Sequence, residues 1–137
     1  MAVESNWNVE VPLVGAGIFS VDPPALLGAT CRTCAQMCFP AAPRCPYCRG
    51  AHMEVVQLPS VGTIYSYTIS HIRGPGYLGP VPYGLGVIEF DTGIRVATLL
   101  SADPLERLRI GARARIALAD VGAPEQPLLS YTHTLVE

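Results

Sequence analysis

Lysine is absent from this chain: its nine basic residues are all arginine, set against eleven carboxylates for a net charge of −2. A general electrostatic attraction to nucleic acid is therefore not expected, and only a local arginine cluster could support one. No apolar run approaches the length needed to cross a bilayer. The N-terminus has neither the basic start nor the apolar core of a secretion signal, so the protein is expected to be cytoplasmic, with reduced cysteines and no membrane association. Charge is scarce as well, at 15% of residues, while 50% are apolar. That density is low for a soluble monomer, and part of the apolar surface is expected to meet another protein. The 137 residues carry no internal repeat and suit one domain, or a small metal module fused to a compact β domain.

Against these absences stand five cysteines, four of them in two Cys-x-x-Cys pairs, Cys31-Arg-Thr-Cys34 and Cys45-Pro-Tyr-Cys48. Each pair is a short turn that aims two sulfurs at one point, and Zn²⁺ accepts four thiolates at about 2.3 Å in a closed structural site. Cys31, Cys34, Cys45 and Cys48 are thus the candidate zinc ligands, with no position left open for substrate. The segment Ala35 to Arg44 is too short for a core of its own, so the metal would supply much of its folding free energy. Two disulfides are the first alternative, disfavoured by the Cys-Pro-x-Cys-x-Gly turn chemistry and the absence of a signal peptide. Iron is the second, disfavoured because Ala35 and Arg49 follow the knuckles where an iron site favours glycine. Cys38 has no partner cysteine and reads as a small buried hydrophobe. A catalytic role would need a base, and His52, His71 and His133 fall in no pattern that supplies one.

Taken in order, residues 1–30 read as an extended arm in which Asp22-Pro23-Pro24 starts one short helical turn and Gly28 stops it. Trp7, Val11, Leu13, Ile18 and Phe19 must then pack on the body of the protein or on a partner. Residues 31–58 form the zinc ribbon, with a strand from Glu54 to Leu58 that Pro59-Ser60 ends. Residues 59–137 carry five strand signals: Val61 to His71, Leu85 to Phe90, Ile94 to Leu100, Ala112 to Leu118 and Leu128 to Val136. Asp91-Thr92-Gly93 joins the second and third as a hairpin. Asp103-Pro104 caps one helical turn through Leu108, which Gly111 ends. The fold class is mainly β, an N-terminal zinc ribbon before a five-stranded OB-fold barrel with one short helix. Alternation in the first barrel strand puts Thr63, Tyr65, Tyr67, Ile69 and His71 on one face.

Two further features invite a functional reading. The loop Arg73-Gly-Pro-Gly-Tyr-Leu-Gly-Pro-Val-Pro-Tyr83 is long for a small barrel, and OB folds tend to meet ligands there, which makes Arg73, Tyr77 and Tyr83 candidate contacts to a partner or substrate. Arg107, Arg109, Arg113 and Arg115 are the one basic concentration. Arg113 and Arg115 share a strand face, by default a solvated one and more sharply a site for a phosphate-bearing ligand.

The motifs Leu27-Gly-Ala-Thr-Cys31-Arg-Thr-Cys34, Phe39-Pro40, Cys45-Pro-Tyr-Cys48, Gly62-Thr-Ile-Tyr-Ser-Tyr-Thr, Pro82-Tyr83 and Arg109-Ile-Gly111 together resemble a known family. Its members are two-part proteins, a rubredoxin-like zinc ribbon and an OB fold, associated with thiolases and other acyl-CoA enzymes. The resemblance implies a non-catalytic, zinc-binding accessory subunit in a hetero-oligomer. It would help to assemble or close the acyl-CoA site of a thiolase-fold partner, with no catalytic residue of its own. Arg113 and Arg115 would then face the phosphates of coenzyme A. Many members begin with a longer amphipathic helix, and a Gly- and Pro-bearing arm stands in its place here. The alternative is an OB-fold module for single-stranded nucleic acid, using Tyr65, Tyr67 and the arginine cluster.

Overall fold

Strands make up nearly all the regular structure of the computed structural model, which describes residues 13–15 and 17–136. Nine strands follow in order: β1 (Phe19–Val21), β2 (Pro24–Cys31), β3 (Met37–Cys38), β4 (Met53–Gln57), β5 (Val61–Ser70), β6 (Tyr83–Glu89), β7 (Arg95–Ser101), β8 (Arg113–Asp120) and β9 (Leu129–Leu135). A single 3₁₀ turn, Leu105–Arg107, separates β7 from β8, and it has no side-chain cap. Among the described residues no helix is long and apolar enough to cross a membrane.

The helical turn expected after Asp22-Pro23-Pro24 does not form. Pro24–Cys31 is the central strand of the ribbon sheet, antiparallel to β1, β3 and β4, with Leu27 to Cys31 registered on Gln57 to Met53. Alanine and leucine give this stretch no strong local preference for a strand, and pairing along both edges decides the outcome. Its side chains are buried accordingly: Leu26 and Ala29 are 1% and 0% exposed. Gly28 stands where β2 and β3 approach most closely, since a Cβ there would lie 2.7 Å from the Cys38 carbonyl oxygen. The sheet therefore crosses Cys31, where the arm and the ribbon divide in the sequence.

Strands β5 to β9 close into a barrel in the order β5-β6-β7-β9-β8, with β8 returning to β5. Every barrel pairing is antiparallel except β7 with β9. Asp91-Thr92-Gly93 turns as expected, Gly93 at φ +91° and Phe90 N–H bonded to the Ile94 carbonyl at 2.9 Å. One core runs through both parts: Phe19, Leu26 and Leu58 from the ribbon side join Ile64, Ile88, Val96, Leu100, Ile116 and Leu129 of the barrel. Phe19 meets Tyr131 edge-on, ring centres 5.6 Å apart. Phe19 is buried and Leu13 and Ile18 pack against that core, on the protein's own body, while Trp7 and Val11 lie outside the described residues.

The alternation expected along β5 breaks at Tyr65. Ile64 faces Ile88 and Ser66 faces Val87, so Tyr65 is an extra residue without a partner across the strand pair. Such a bulge flips the parity of everything beyond it. Tyr67, opposite Gly86, consequently falls on the Ile64 side of the pleat and parts from Thr63 and Tyr65. Glycine at 86 suits this crossing, because a Cβ there would run into the Ser66 carbonyl oxygen.

Candidate metal centre and loop cleft

Each cysteine pair folds the same way. In the first, the Ala35 N–H donates to the Cys31 carbonyl at 2.9 Å and the Cys31 N–H donates to the Gln36 carbonyl at 2.8 Å. In the second, Arg49 and Cys45 make the equivalent bonds, to Cys45 and Gly50, both at 2.9 Å. The chain reverses after each pair through a left-handed residue, Ala35 and Arg49, both at φ 66°. Glycine is the residue expected in that conformation, yet both knuckles form it without glycine.

The outcome is a cluster in which the four Sγ atoms of Cys31, Cys34, Cys45 and Cys48 lie within 4.8 Å of one another. Cys31 and Cys48 are 3.6 Å apart, as are Cys34 and Cys45. A tetrahedron of thiolates around zinc at 2.3 Å has edges of about 3.8 Å, so the cage fits a zinc ribbon. Main-chain donors surround the sulfurs: Thr33 and Cys34 N–H point at Cys31, Tyr47 N–H at Cys45 and Gly50 N–H at Cys48, each at 3.4 Å. The N–H of Cys34, acting against desolvation and helped by that of Thr33, holds the Cys31 thiol down at about 6. Donors of this kind favour thiolate, the form that ligates a metal. Cys31 and Cys45 are buried and Cys48 is exposed, so the centre sits at the edge of the molecule. Cys38 stays apart, its Sγ 3.6 Å from the Pro40 carbonyl oxygen, as a small buried side chain on β3.

The loop after β5 is held by its own side chains. Tyr77 and Tyr83 stack with ring centres 3.9 Å apart, Arg73 Nε donates to the Gly79 carbonyl at 2.8 Å, and Tyr77 Oη donates to the Pro80 carbonyl at 2.6 Å. Arg73, Tyr77 and Tyr83 are thus brought together. A further bond, from Leu78 N–H to the Val121 carbonyl at 2.7 Å, ties the loop to the end of β8. Between loop and barrel lies a cleft of about 460 Å³ walled by Tyr77, Pro80, Tyr83, Leu99, Leu105 and Leu118. Its size falls within the roughly 300–1,000 Å³ of ligand sites, and its walls are mainly apolar.

Arg113 and Arg115 share the outer face of β8, exposed, each with Nη1 3.4 Å from a hydroxyl, Thr63 and Ser60 respectively. They are not brought to the loop residues. Tyr65 carries Arg95 over its ring at 3.9 Å, and Arg95 also pairs with Glu89 at 3.0 Å. With Tyr67 displaced by the bulge, the paired-tyrosine platform that nucleic-acid stacking calls for is not assembled among the described residues.

One buried polar residue went unread in the sequence. His133 is 0% exposed in the barrel core, with Nδ1 2.9 Å from Thr98 Oγ1, its ring edge-on to Phe90, and no hydrogen-bond partner at Nε2. Burial lowers its pKa from 6.5 to about 4, so it is neutral at physiological pH. The alternation Leu129, Tyr131, His133, Leu135 was the available signal for its inward direction.

Comparison with known proteins adds three findings. Residues 55–119 match the family described as ChsH2, C-terminal OB-fold domain. Two curated relatives are similar: a DUF35 domain-containing scaffold protein of Methanocaldococcus jannaschii, 31% identical over 52% of this chain and 51% of its own, and the benzoylsuccinyl-CoA thiolase subunit BbsA of Thauera aromatica, 35% identical over 59% and 55%. The matched stretch spans about half the length of each. Among solved structures, the Ltp2-ChsH2(DUF35) aldolase superposes with a TM-score of 0.62 over 80% of this chain and 84% of that one, at 24% identity, a likeness of fold. Residues 55–119 thus resemble the ChsH2 C-terminal OB-fold domain, and in this chain a four-cysteine cluster of zinc-ribbon form precedes them.

Proposed function

We propose that this chain is a zinc-binding, non-catalytic accessory subunit of a thiolase-type acyl-CoA enzyme, which it helps to assemble or whose acyl-CoA site it helps to close. The observation that carries the reading is the 35% identity to a subunit of benzoylsuccinyl-CoA thiolase. An aldolase-type acyl-CoA enzyme is the related possibility that the Ltp2-ChsH2 fold likeness suggests. In this reading the ribbon of residues 31–58 and the barrel domain of residues 59–137 act as one rigid adaptor, and the partner supplies nucleophile and acid-base groups. Cys31, Cys34, Cys45 and Cys48 hold zinc, which contributes folding free energy and leaves no coordination position for substrate.

Support for the contact surface comes from the loop Arg73 to Tyr83. Its stacked tyrosines are already ordered, so binding a partner through them costs little conformational entropy. Burying this loop against the partner would exclude water from the thioester and strengthen the electrostatic stabilisation of charge developing there. Arg113 and Arg115, exposed on β8, are the residues we assign to the phosphates of coenzyme A. The complex would be a hetero-oligomer of the reducing cytoplasm, where cysteines remain available to metal.

Co-expression with a thiolase-type subunit from the same genome tests the reading. The two chains should elute together, and thioester cleavage should require both. Separate elution with unchanged activity of the partner would refute it.

A further inference from the structure

The ribbon sheet has one unfinished side. Strand β2 is paired along both edges, with β1 and β3 on one and β4 on the other, but β4 has no strand beyond it among the described residues. Two bonds fix which of its main-chain groups face outward: Leu58 N–H donates to the Leu26 carbonyl and Arg32 N–H to the His52 carbonyl, both at 2.9 Å. In that ladder Glu54 and Val56 point theirs at β2, and Met53, Val55 and Gln57 point theirs away from the sheet. No main-chain bond among the described residues reaches those outward groups.

Natural sheets usually guard such an edge with lysine, proline, a bulge or a covering segment. Met53-Glu-Val-Val-Gln57 holds neither lysine nor proline, and its register on β2 runs without a break. Val55 is 62% exposed, and Glu54 and Gln57 beside it are exposed too. The edge is open to another strand.

We propose that β4 pairs with β4 of a second copy of this chain, antiparallel about a two-fold axis at Val55, so that the two ribbon sheets become one. Charge and proline select this register. Centred on Val55, it sets Met53 opposite Gln57 and Glu54 opposite Val56, and every outward N–H and C=O of the strand meets a partner. Centred on Glu54, it would put two carboxylates directly across from each other, which is destabilising. Centred on Val56 or Gln57, it would bring Met53 or Val55 onto Pro59, which has no N–H to give. Centred on Met53, it would run Gln57 into Arg49, a residue of the left-handed knuckle turn. Arg32 already holds Glu54 at 3.1 Å, so each copy brings a neutralised edge to the other. The strand is only five residues long, well short of the roughly 800 Å² per partner of a stable interface, so the pair is reversible and governed by concentration.

Sedimentation velocity of the metal-loaded full-length chain alone, across a concentration series, reads the pairing, and amide exchange followed by NMR reads the edge. Concentrating the sample should turn monomer into dimer and slow exchange at Met53, Val55 and Gln57 several-fold, while Glu54 and Val56, already bonded to β2, stay as they were. Val55→Pro removes one outward donor from each copy without touching the β2 ladder, and should weaken association by about tenfold or more. Val55→Lys sets two like charges opposite each other at the axis and should act in the same direction. Zinc content equal to that of the wild type shows that the ribbon is intact in each. Ile110→Lys, at a similarly exposed apolar position before β8, should leave association unchanged. A wild-type chain that stays monomeric throughout the series overturns the proposal. So does a dimer that both Val55 variants leave intact, or slowed exchange at the three amides that appears only when the partner subunit is added, which gives the edge to a strand of the partner.

Discussion

Ala35 and Arg49 hold the left-handed turns of the two knuckles at φ 66°, a conformation that costs a side-chain-bearing residue about 1–2 kcal/mol. Ala35→Gly should therefore stabilise the folded, metal-loaded chain by up to about 1 kcal/mol, after allowance for the greater backbone freedom glycine brings to the unfolded state. Chemical denaturation of the two proteins side by side measures it. His133 gives a second residue-scale test. Its pKa is lowered by burial from 6.5 to about 4, so above pH 6.5 both folded and unfolded forms are neutral and the group contributes nothing. Between 6.5 and about 4 only the unfolded chain takes up the proton, and stability falls with falling pH by about 3 kcal/mol in all. Denaturation midpoints across that window should decline in the wild type and flatten in His133→Leu. The four cysteines were legible because two Cys-x-x-Cys turns at this spacing can aim their sulfurs at one point. For His133 the alternation of β9 gave only the face it takes, and full burial of a titratable side chain runs against the usual distribution of such residues.

At the scale of elements, the barrel was legible and the arm was not. Strands β5 to β9 carry their own period-two or β-branched signals, and Asp91-Thr92-Gly93 and Gly111 mark breaks by backbone chemistry that acts locally. Pro24–Cys31 carries none, and only its pairing with β1, β3 and β4 makes it a strand. The bulge at Tyr65 is likewise set by the partner strand, where Gly86 lets the Ser66 carbonyl come close. Gly86→Ala should cost about 1–3 kcal/mol through overpacking at that crossing, read as a lower thermal midpoint. Metal removal acts on the other half. Chelation should release the amides of residues 27–57 to hydrogen exchange faster than those of β6 to β9, because the knuckles have little apolar core to replace the ion. Uniform exchange in both halves, unchanged by chelation, would show that the ribbon stands without metal.

Taken whole, the described residues combine a cysteine cage of a size that fits a metal ion, a barrel whose core continues into the ribbon, and a loop stiffened by two stacked tyrosines over an apolar cleft, the parts that the proposed accessory role draws on. Truncating that stack by Tyr77→Ala together with Tyr83→Ala should weaken association with the partner by about tenfold or more while leaving metal content unchanged, as aromatic anchors in an interface do. The most direct measurement is thioester turnover by the purified, metal-loaded chain alone, by the partner alone, and by the two combined. The account predicts activity only in the combination, with both chains in one complex. Turnover by this chain alone would contradict it.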